Sequence, residues 1–257
     1  MSLFADLHHR DTPLLLPNAW DHASAAALAA QGFEAVGTTS LGVAAAAGLP
    51  DGAGATRDAT LSLALALGNG PFLLSVDAEG GFGDDPDEVA EVARELAAAG
   101  AVGINLEDGL GSAPRHAAKI AAVKAAVPGL FVNARTDTYW LGDGDESDTY
   151  RRLDAYQQAG ADGVFVPGLA DEQRIVSLVK TLDVPLNILY SPSGPTVTRL
   201  GDLGVRRVSL GSLLYRRALG AALETAADVR AGRTPRGAAP AYDEVEALSQ
   251  SSEVSSW

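Results

Sequence analysis

Residues 71–108 read PFLLSVDAEGGFGDDPDEVAEVARELAAAGAVGINLED and have the pattern of one strand–helix–strand unit. The apolar run at 71–78 predicts a buried strand, the amphipathic stretch at 86–99 predicts a helix, and the apolar run at 101–108 predicts the next strand. Gly100 stands at the second join, where glycine can take the left-handed conformation that ends a helix. The segment therefore predicts a parallel β–α–β unit.

The same unit recurs along the whole chain. Strands are predicted at 14–20, 35–40, 71–78, 101–108, 130–136, 163–168, 185–190 and 206–211. Helices are predicted after them at 22–31, 58–68, 86–99, 114–126, 147–159, 171–180, 196–203 and 213–230. Eight such pairs in 257 residues favour an α/β fold of the (β/α)₈ TIM barrel type over an open doubly wound sheet. We predict one barrel domain over residues 1–235 and a polar C-terminal tail over 236–257 that packs weakly.

Charge and composition exclude several classes of protein. The formal net charge is -14, with 33 acidic and 19 basic residues, so we expect neither nucleic acid nor a membrane surface as a partner. A small anionic substrate would need a local cation in its site. The chain has no Cys, which excludes disulfides, thiolate metal sites and a Cys nucleophile. No signal peptide pattern or membrane-spanning stretch is present, and we predict a cytoplasmic protein.

Polar side chains cluster at the C-terminal ends of the predicted strands, which converge on one mouth of a barrel. They are Asn18, Trp20, Asp21, Thr38, Thr39, Ser40, Asp77, Glu79, Glu107, Asp108, Arg135, Asp137 and Asn187. Asp21 is equally suited to capping the first helix. The sixth and eighth strands are expected to contribute little. None of the four histidines follows a strand directly, and only His116 is kept as a distant acid–base candidate.

Three carboxylates, on Asp77, Glu79 and Glu107, form the predicted metal site. Carboxylates that share a small volume repel one another, so a cation is needed to keep all three ionised at neutral pH. Mg²⁺ is held by a few carboxylates and several waters, which leaves positions for substrate oxygens, and Mn²⁺ is a possible substitute. The alternative is a structural ion-pair network with Arg135.

Seven ordered stretches resemble the isocitrate lyase and phosphoenolpyruvate mutase superfamily. They are LPNAWDHASAAALAAQGFEAVGTTS (16–40), GLPDG (48–52), DAEGGFG (77–83), NLEDG (105–109), NARTDTYW (133–140), FVPGL (165–169) and LGVRRVSLGS (203–212). The resemblance extends to about residue 230. It implies a barrel that assembles as a homodimer or homotetramer, with a C-terminal helix swapped between subunits.

The resemblance also implies roles for individual residues. Asp77, Glu79 and Glu107 would hold Mg²⁺, with Glu79 in contact through water because the superfamily more often has Asp at that position. Thr39, Ser40 and Leu41 match a segment that binds a substrate carboxylate, Asp51 matches an aspartate near the reacting atoms, and Arg135 matches an arginine that neutralises an enolate. Trp20, after the first predicted strand, and Asn187, within the seventh, are also expected to contact the substrate. Asp108 is expected to anchor a loop.

The segment after Asp108 distinguishes between the reactions of the superfamily. The isocitrate and methylisocitrate lyases have a long Cys-containing loop there, and the phosphonomutases have a loop with Lys and Asn, whereas this chain has only GLGSAP (109–114) before a helix. After the sixth strand, members of the superfamily have a Glu or His side chain, whereas this chain has Pro167 and Gly168 there. The leading hypothesis is a Mg²⁺-dependent enzyme that makes or breaks a C–C bond in a small 2-oxo or 2-hydroxy carboxylate through an enolate. The alternatives are a P–C mutase or phosphonopyruvate hydrolase, and an inactive 2-oxo acid binding protein.

Overall fold

The computed structural model describes residues 3–249, and these contain nine parallel strands in a single sheet that closes almost completely into a barrel. The strands are β1 (Leu14–Leu16), β2 (Asn18–Ala19), β3 (Ala35–Thr38), β4 (Leu73–Asp77), β5 (Ala101–Glu107), β6 (Phe131–Arg135), β7 (Gly163–Val166), β8 (Leu186–Leu189) and β9 (Arg207–Ser209). Their order around the barrel is β1-β9-β8-β7-β6-β5-β4-β3-β2. The predicted α/β TIM barrel is confirmed.

Pro17 divides the first predicted strand in two. β1 pairs with β9, where Leu16 lies opposite Ser209, and β2 pairs with β3, where Ala19 lies opposite Thr38. Proline has no N–H to donate, so the ladder is interrupted at this position, although its carbonyl still accepts a 2.8 Å hydrogen bond from Gly37 N. The two halves of the divided strand therefore lie between β9 and β3 and close the barrel.

Eleven helices lie within the described part of the chain, and eight of them match the predicted ones to within a few residues. They are α1 (Leu3–Leu7), α2 (His22–Ala30), α3 (Ser40–Ala47), α4 (Arg57–Leu67), α5 (Pro86–Ala98), α6 (Ala113–Ala126), α7 (Glu146–Gln158), α8 (Glu172–Val179), α9 (Val197–Asp202), α10 (Leu213–Arg230) and α11 (Tyr242–Leu248). The helices α1, α3 and α11 were not predicted. Over residues 3–249, no helix combines the length and apolar character that crossing a membrane requires.

Four helices of the barrel, α2, α5, α7 and α8, begin at aspartate caps. Asp21 caps α2: its Oδ1 accepts from Ser24 N at 2.7 Å, and Ser24 Oγ accepts from Asp21 N at 3.2 Å. Asp85 caps α5, which has Pro86 as its first residue. The reciprocal bonds with Ser24 assign Asp21 to helix capping rather than to the mouth of the barrel.

The N-terminal helix α1 closes the bottom of the barrel. Phe4 and Leu7 pack with Phe131 from β6 in a small buried cluster, and the ring of His8 stacks on Phe131 with ring centroids 4.3 Å apart. Gly103 on β5 leaves the space for Phe4, because a Cβ at that position would lie 2.7 Å from Phe4 Cε1. The open end of the barrel is therefore the opposite one, at the C-terminal ends of the strands.

The middle of the barrel is polar. Its inward-facing side chains include Ser75, Asn105, Asn133, Asn187 and Arg207, all of them buried. Barrels of this type are usually filled there by branched aliphatic residues. This polar layer lies directly beneath the strand ends and forms the floor of the mouth.

The C-terminal tail has one short helix in its described part. None of the residues of α11 is buried, and the helix approaches α2, where Leu248 O lies 3.3 Å from His22 Nε2. Residues 250–257 of the predicted tail lie outside the described residues. The helix α10 remains largely exposed, and its exchange between subunits stays a prediction.

Candidate active site

Two cavities open at the C-terminal ends of the strands. The inner pocket has a volume of about 130 Å³, and the outer chamber beside it has a volume of about 490 Å³. The inner pocket is lined by residues that include Thr39, Ser40, Leu41, Asp51, Asp77, Asn105, Arg135 and Ser209. The outer chamber is lined by residues that include Gly54, Glu79, Glu107, Asp108, Arg115 and His116. Of the residues with a predicted metal, catalytic or substrate-binding role, all but Trp20 and Asn187 therefore line one of these two cavities.

The segment Thr39, Ser40 and Leu41 begins an unexpected helix. Thr39 is the N-cap of α3, and Ser40 N donates to Asp77 Oδ2 at 3.2 Å. The first N–H groups of a helix have no partner within the helix, so they attract carboxylates. The helix therefore directs its N-terminus at the inner pocket, and it shares that pocket with Asp77.

Arg135 is held between two carboxylates. Its Nη1 lies 2.7 Å from Glu107 Oε2, and its Nε donates to Asp137 Oδ1 at 2.7 Å. The guanidinium carbon also lies 5.9 Å from the centre of the Phe165 ring, which contributes a cation–π contact. These three neighbours fix the plane of the guanidinium at the edge of the inner pocket.

The carboxylates around Arg135, if all were ionised, would carry more negative charge than one arginine balances. Burial raises the pKa of Glu107 to about 8; Arg135 opposes the shift, while Asp77, Asp137 and Glu79 add to it. Burial also raises the pKa of Asp137, against the effect of Arg135. A cation bound among these groups would relieve the repulsion.

Both carboxylate oxygens of Glu79 accept hydrogen bonds from the neighbouring loop. Its backbone has a φ of 47°, and its side chain is buried. Oε2 accepts from Gly54 N at 2.9 Å, and Oε1 accepts from the hydroxyl of Thr56. Both carboxylate oxygens therefore hold the loop that carries Asp51 at the rim of the inner pocket.

A magnesium ion requires carboxylate oxygens that are not already bonded to other groups. Over residues 3–249, no three His, Asp or Glu side chains are grouped closely enough to be metal ligands. Asp77 and Glu107, however, each use only one oxygen, toward Ser40 N and Arg135 respectively, and keep the other without a partner among the described residues. Mg²⁺ commonly binds one or two carboxylates and completes its shell with water. Asp77 and Glu107 fit that requirement, whereas Glu79 has no free oxygen in this arrangement.

Asp108 anchors the short segment that follows β5. Its Oδ2 accepts from Tyr156 OH at 2.7 Å and from Arg152 Nη1 at 3.0 Å, and its Oδ1 accepts from Leu110 N at 2.9 Å. Burial alone would raise the pKa of Asp108, but the hydrogen bonds, that from Tyr156 foremost, hold it below its usual value. The contacts agree with the loop-anchoring role expected for this residue.

Two predicted substrate contacts lie outside the inner pocket. The ring of Trp20 packs edge-on against Tyr215, with centroids 5.4 Å apart, and Asn187 Nδ2 donates to Ser209 Oγ at 3.0 Å within the polar layer. Whether either residue contacts the substrate stays a prediction. In this structure Asn187 reaches the pocket only through Ser209.

The sixth and eighth predicted strands both contribute more than expected. Phe165 and Pro167, from the sixth, line the inner pocket. Ser209, Leu210 and Gly211 all line the inner pocket, and Asn18 Oδ1 accepts from Leu210 N and Gly211 N at 3.1 and 2.8 Å. Asn105 also lines the pocket and was not predicted. Asn105 could have been found from the sequence, because it is a polar residue inside an otherwise apolar strand. Arg207 shows the same signal.

The chain is similar in sequence and in structure to several known proteins. A model of the phosphoenolpyruvate phosphomutase family matches residues 4–230. An uncharacterized protein of Mycobacterium tuberculosis H37Rv is 45% identical over 249 residues, 95% of either chain. A structure from Burkholderia cenocepacia J2315, provisionally described as a lyase or mutase, is 37% identical with a TM-score of 0.86 and covers 95% of this chain and 93% of its own. The oxaloacetate decarboxylase of Bradyrhizobium sp. BTAi1 is 30% identical over 178 residues, 63% of this chain and 60% of that protein.

Proposed function

Because the chain belongs to the phosphoenolpyruvate mutase and isocitrate lyase superfamily, we propose that it is an enzyme that cleaves a C–C bond in a small 2-oxo acid. The specific reaction we propose is decarboxylation of a 2-oxo acid that carries a second carboxylate on C3, as oxaloacetate does. Oxaloacetate decarboxylases are among the relatives, which supports this class of substrate. The observation that carries the proposal is the convergence of Arg135, Asp77 and the N-terminus of α3 on one pocket of about 130 Å³.

The inner pocket has groups suited to both ends of such a substrate. The N–H groups of the first turn of α3 and the hydroxyls of Thr39 and Ser40 would bind the C1 carboxylate. The guanidinium of Arg135 would face the 2-oxo oxygen, where negative charge develops as the bond breaks. The small volume of the pocket favours a short acid over a long or branched one.

Mg²⁺, or Mn²⁺ in its place, is the proposed cofactor, held by Asp77 and Glu107, with Glu79 contributing through water or through the loop that it orders. When bound, the ion supplies a Lewis acid for the 2-oxo oxygen. Phosphonopyruvate hydrolase, a relative that is 24% identical, was solved with oxalate and Mg²⁺. Oxalate resembles the enolate of pyruvate, so it is a suitable probe for the inner pocket.

Decarboxylation suits the side chains of the inner pocket better than cleavage of a 2-hydroxy acid. Loss of CO₂ leaves the bonding electrons on the 2-oxo oxygen as an enolate and needs no base, whereas cleavage next to a hydroxyl needs a base to take its proton. Within the described residues, the lining of the inner pocket contains no histidine, and of its two carboxylates Asp77 is assigned to the metal, which leaves Asp51 as the carboxylate base for a 2-hydroxy acid. The enolate then needs one proton at C3, and Asp51 at the rim would position the water that delivers it.

The test is the release of pyruvate from oxaloacetate, measured with purified protein and Mg²⁺. Because Mg²⁺ alone promotes this reaction, rates are compared with a protein-free solution of the same Mg²⁺ concentration and with an EDTA-treated sample. We expect turnover well above the protein-free rate, its loss in Asp77→Asn, and its retention in Asp58→Asn, since the side chain of Asp58 is 96% exposed and lies outside the inner pocket.

Other outcomes would change the assignment. A panel that includes phosphonopyruvate and 2-hydroxy acids is run under the same conditions. Turnover of phosphonopyruvate without turnover of oxaloacetate would replace the proposal with P–C chemistry. Tight oxalate binding with no turnover of any member of the panel would indicate a 2-oxo acid binding protein.

A further inference from the structure

Arg207 is a fully buried arginine in the polar layer beneath the inner pocket. Its Nε donates to Ser209 Oγ at 3.0 Å, and its Nη2 donates to Asn105 Oδ1 at 3.1 Å. Its Nη1 is buried without a hydrogen-bond partner, and no carboxylate among residues 3–249 forms an ion pair with it. A buried arginine therefore stands under the pocket floor with no anion in contact with it.

Such a charge is costly unless another group compensates it. Burial lowers the pKa of Arg207 to about 9, and the negative charge of Asp77 opposes that shift, so the guanidinium stays protonated at neutral pH. A buried ion without a partner costs several kcal/mol in general. Its place directly beneath the pocket that Asp77 and Asn105 line points to a role for its positive charge in that pocket.

The contacts of Arg207 determine which way Asn105 points. Asn105 Oδ1 accepts from two donors, Arg207 Nη2 at 3.1 Å and Asn133 Nδ2 at 2.8 Å. Arginine has only donors, so the amide of Asn105 must turn its oxygen toward Arg207. Its Nδ2 has no partner among the described residues, and Asn105 lines the inner pocket. The free N–H groups of this amide are therefore left for a ligand in the pocket.

We propose that Arg207 is a positioning residue, which orients Asn105 so that its amide donates a hydrogen bond to an anionic oxygen of the substrate. The guanidinium adds positive charge below the same oxygen. The inference rests on the proposed function only in taking the ligand to be a small carboxylate, and it makes Asn105 a direct substrate contact. Ser209, which also lines the pocket, is held by Arg207 in the same way.

The test measures oxalate binding by calorimetry in the presence of Mg²⁺, so it does not depend on turnover. The variants are Arg207→Met, Arg207→Lys, Asn105→Ala and the double variant Arg207→Met with Asn105→Ala. A hydrogen bond to a charged group supports an expected weakening of about tenfold or more in Kd for Arg207→Met and for Asn105→Ala. Because Arg207 acts partly through Asn105, the double variant should lose less than the product of the two single effects.

Ser75→Ala is the matched control, because Ser75 lies in the same buried layer and its hydroxyl has no partner there. It should bind oxalate as the wild type does. Thermal midpoints are measured for every variant, so that a loss of binding can be separated from a loss of fold. With oxaloacetate as substrate, KM should rise more in Asn105→Ala than kcat falls.

Each outcome bears directly on the inference. It is overturned if the wild type does not bind oxalate, if folded Arg207→Met binds oxalate as tightly as the wild type, or if the two single effects multiply fully in the double variant. If Arg207→Met does not fold, the inference is tested with Asn105→Ala and Arg207→Lys instead. It is then overturned if Asn105→Ala binds oxalate as tightly as the wild type. The expected pattern of oxalate binding without any turnover would support this inference while contradicting the proposed function.

Discussion

Arg135 Nη1 lies 2.7 Å from Glu107 Oε2, and this ion pair links the two cavities at the mouth of the barrel. Arg135 lines the inner pocket, and Glu107 lines the outer chamber. Only 15% of either side chain is exposed, so the pair is weakly screened by solvent. A ligand or cation that reaches both groups must share or replace this contact, which couples binding in the two cavities.

Replacing Arg135 by Lys should affect catalysis more than folding. The ammonium group keeps the charge but cannot contact Glu107, Asp137 and a substrate oxygen at once, as the planar guanidinium can. We expect kcat for oxaloacetate to fall by about 100-fold or more, a typical effect of removing a donor to a developing oxyanion. Arg94→Lys, at an exposed ion pair with Glu91, is the control. An unchanged kcat in Arg135→Lys would remove Arg135 from the reaction.

The two acidic residues at the end of β4 should differ in their effect on Mg²⁺ binding. Asp77 keeps a free oxygen, so Asp77→Asn should abolish Mg²⁺ binding measured by calorimetry. Glu79 acts through the loop of Gly54 and Thr56, so Glu79→Gln should weaken binding by about 10–100-fold, as changes beyond the direct ligands do. The reverse order of effects would make Glu79 a direct ligand, rather than the contact through water that the resemblance implied.

Asp108 should matter for stability. Its side chain is completely buried, and its removal leaves Arg152, of which 9% is exposed, without this partner. Arg152 keeps Asp148 as a carboxylate partner at 2.8 Å, whereas the buried hydroxyls of Tyr156 and Thr136 lose their acceptor, so Asp108→Ala should lower the free energy of unfolding in urea by about 2–4 kcal/mol. Asp84→Ala, at a side chain that is 87% exposed, should change it by less than about 0.5 kcal/mol. Equal effects in the two variants would contradict the anchoring role.

His8 should make the protein less stable in acid. Burial, and secondarily the charge of Arg207, lowers the pKa of His8 from 6.5 to about 3 in the folded protein. Between these two values the unfolded chain binds a proton that the folded protein does not, so stability falls as the pH decreases through that window. The contribution of one histidine is at most about 1.4 kcal/mol per pH unit.

The replacement His8→Phe keeps a ring against Phe131 and removes the titration. Urea unfolding from neutral pH down to about pH 4 should therefore show a shallower loss of stability in this variant than in the wild type. If the free energy of unfolding of His8→Phe falls with pH as steeply as that of the wild type, groups other than His8 cause the acid sensitivity.

The helix α10 should mediate self-association. Leu219 and Leu223 lie one turn apart and are 49% and 65% exposed, more than expected for a helix that covers a barrel. We expect a homodimer or homotetramer by light scattering, and a smaller species after Leu219→Glu with Leu223→Glu. Leu65→Glu, at a leucine that is 67% exposed on α4, is the control. A monomeric wild type would contradict this prediction and the proposed helix exchange.

Local pattern was enough to identify the barrel but not every element of it. The eight strand–helix pairs follow from apolar runs and glycine punctuation, which depend on residues near one another in the chain. The helix α3 was missed because SLGVAAAA (40–47) follows directly on a strand and has no polar face to reveal its period. The division of the first strand at Pro17 depends on its pairing with both β3 and β9, which no local pattern contains.

The chain alone therefore determined the alternation of strands and helices and the set of acidic and basic groups at the strand ends. Tertiary structure decided how those groups are paired: Glu79 with Gly54 and Thr56, and Glu107 with Arg135. It also decided that Arg207 lies under Asn105, a contact between residues 102 positions apart. The physical reason is that backbone periodicity is local, whereas the charge and hydrogen-bonding state of a buried side chain depend on strand register and on neighbours brought together only by closure of the barrel.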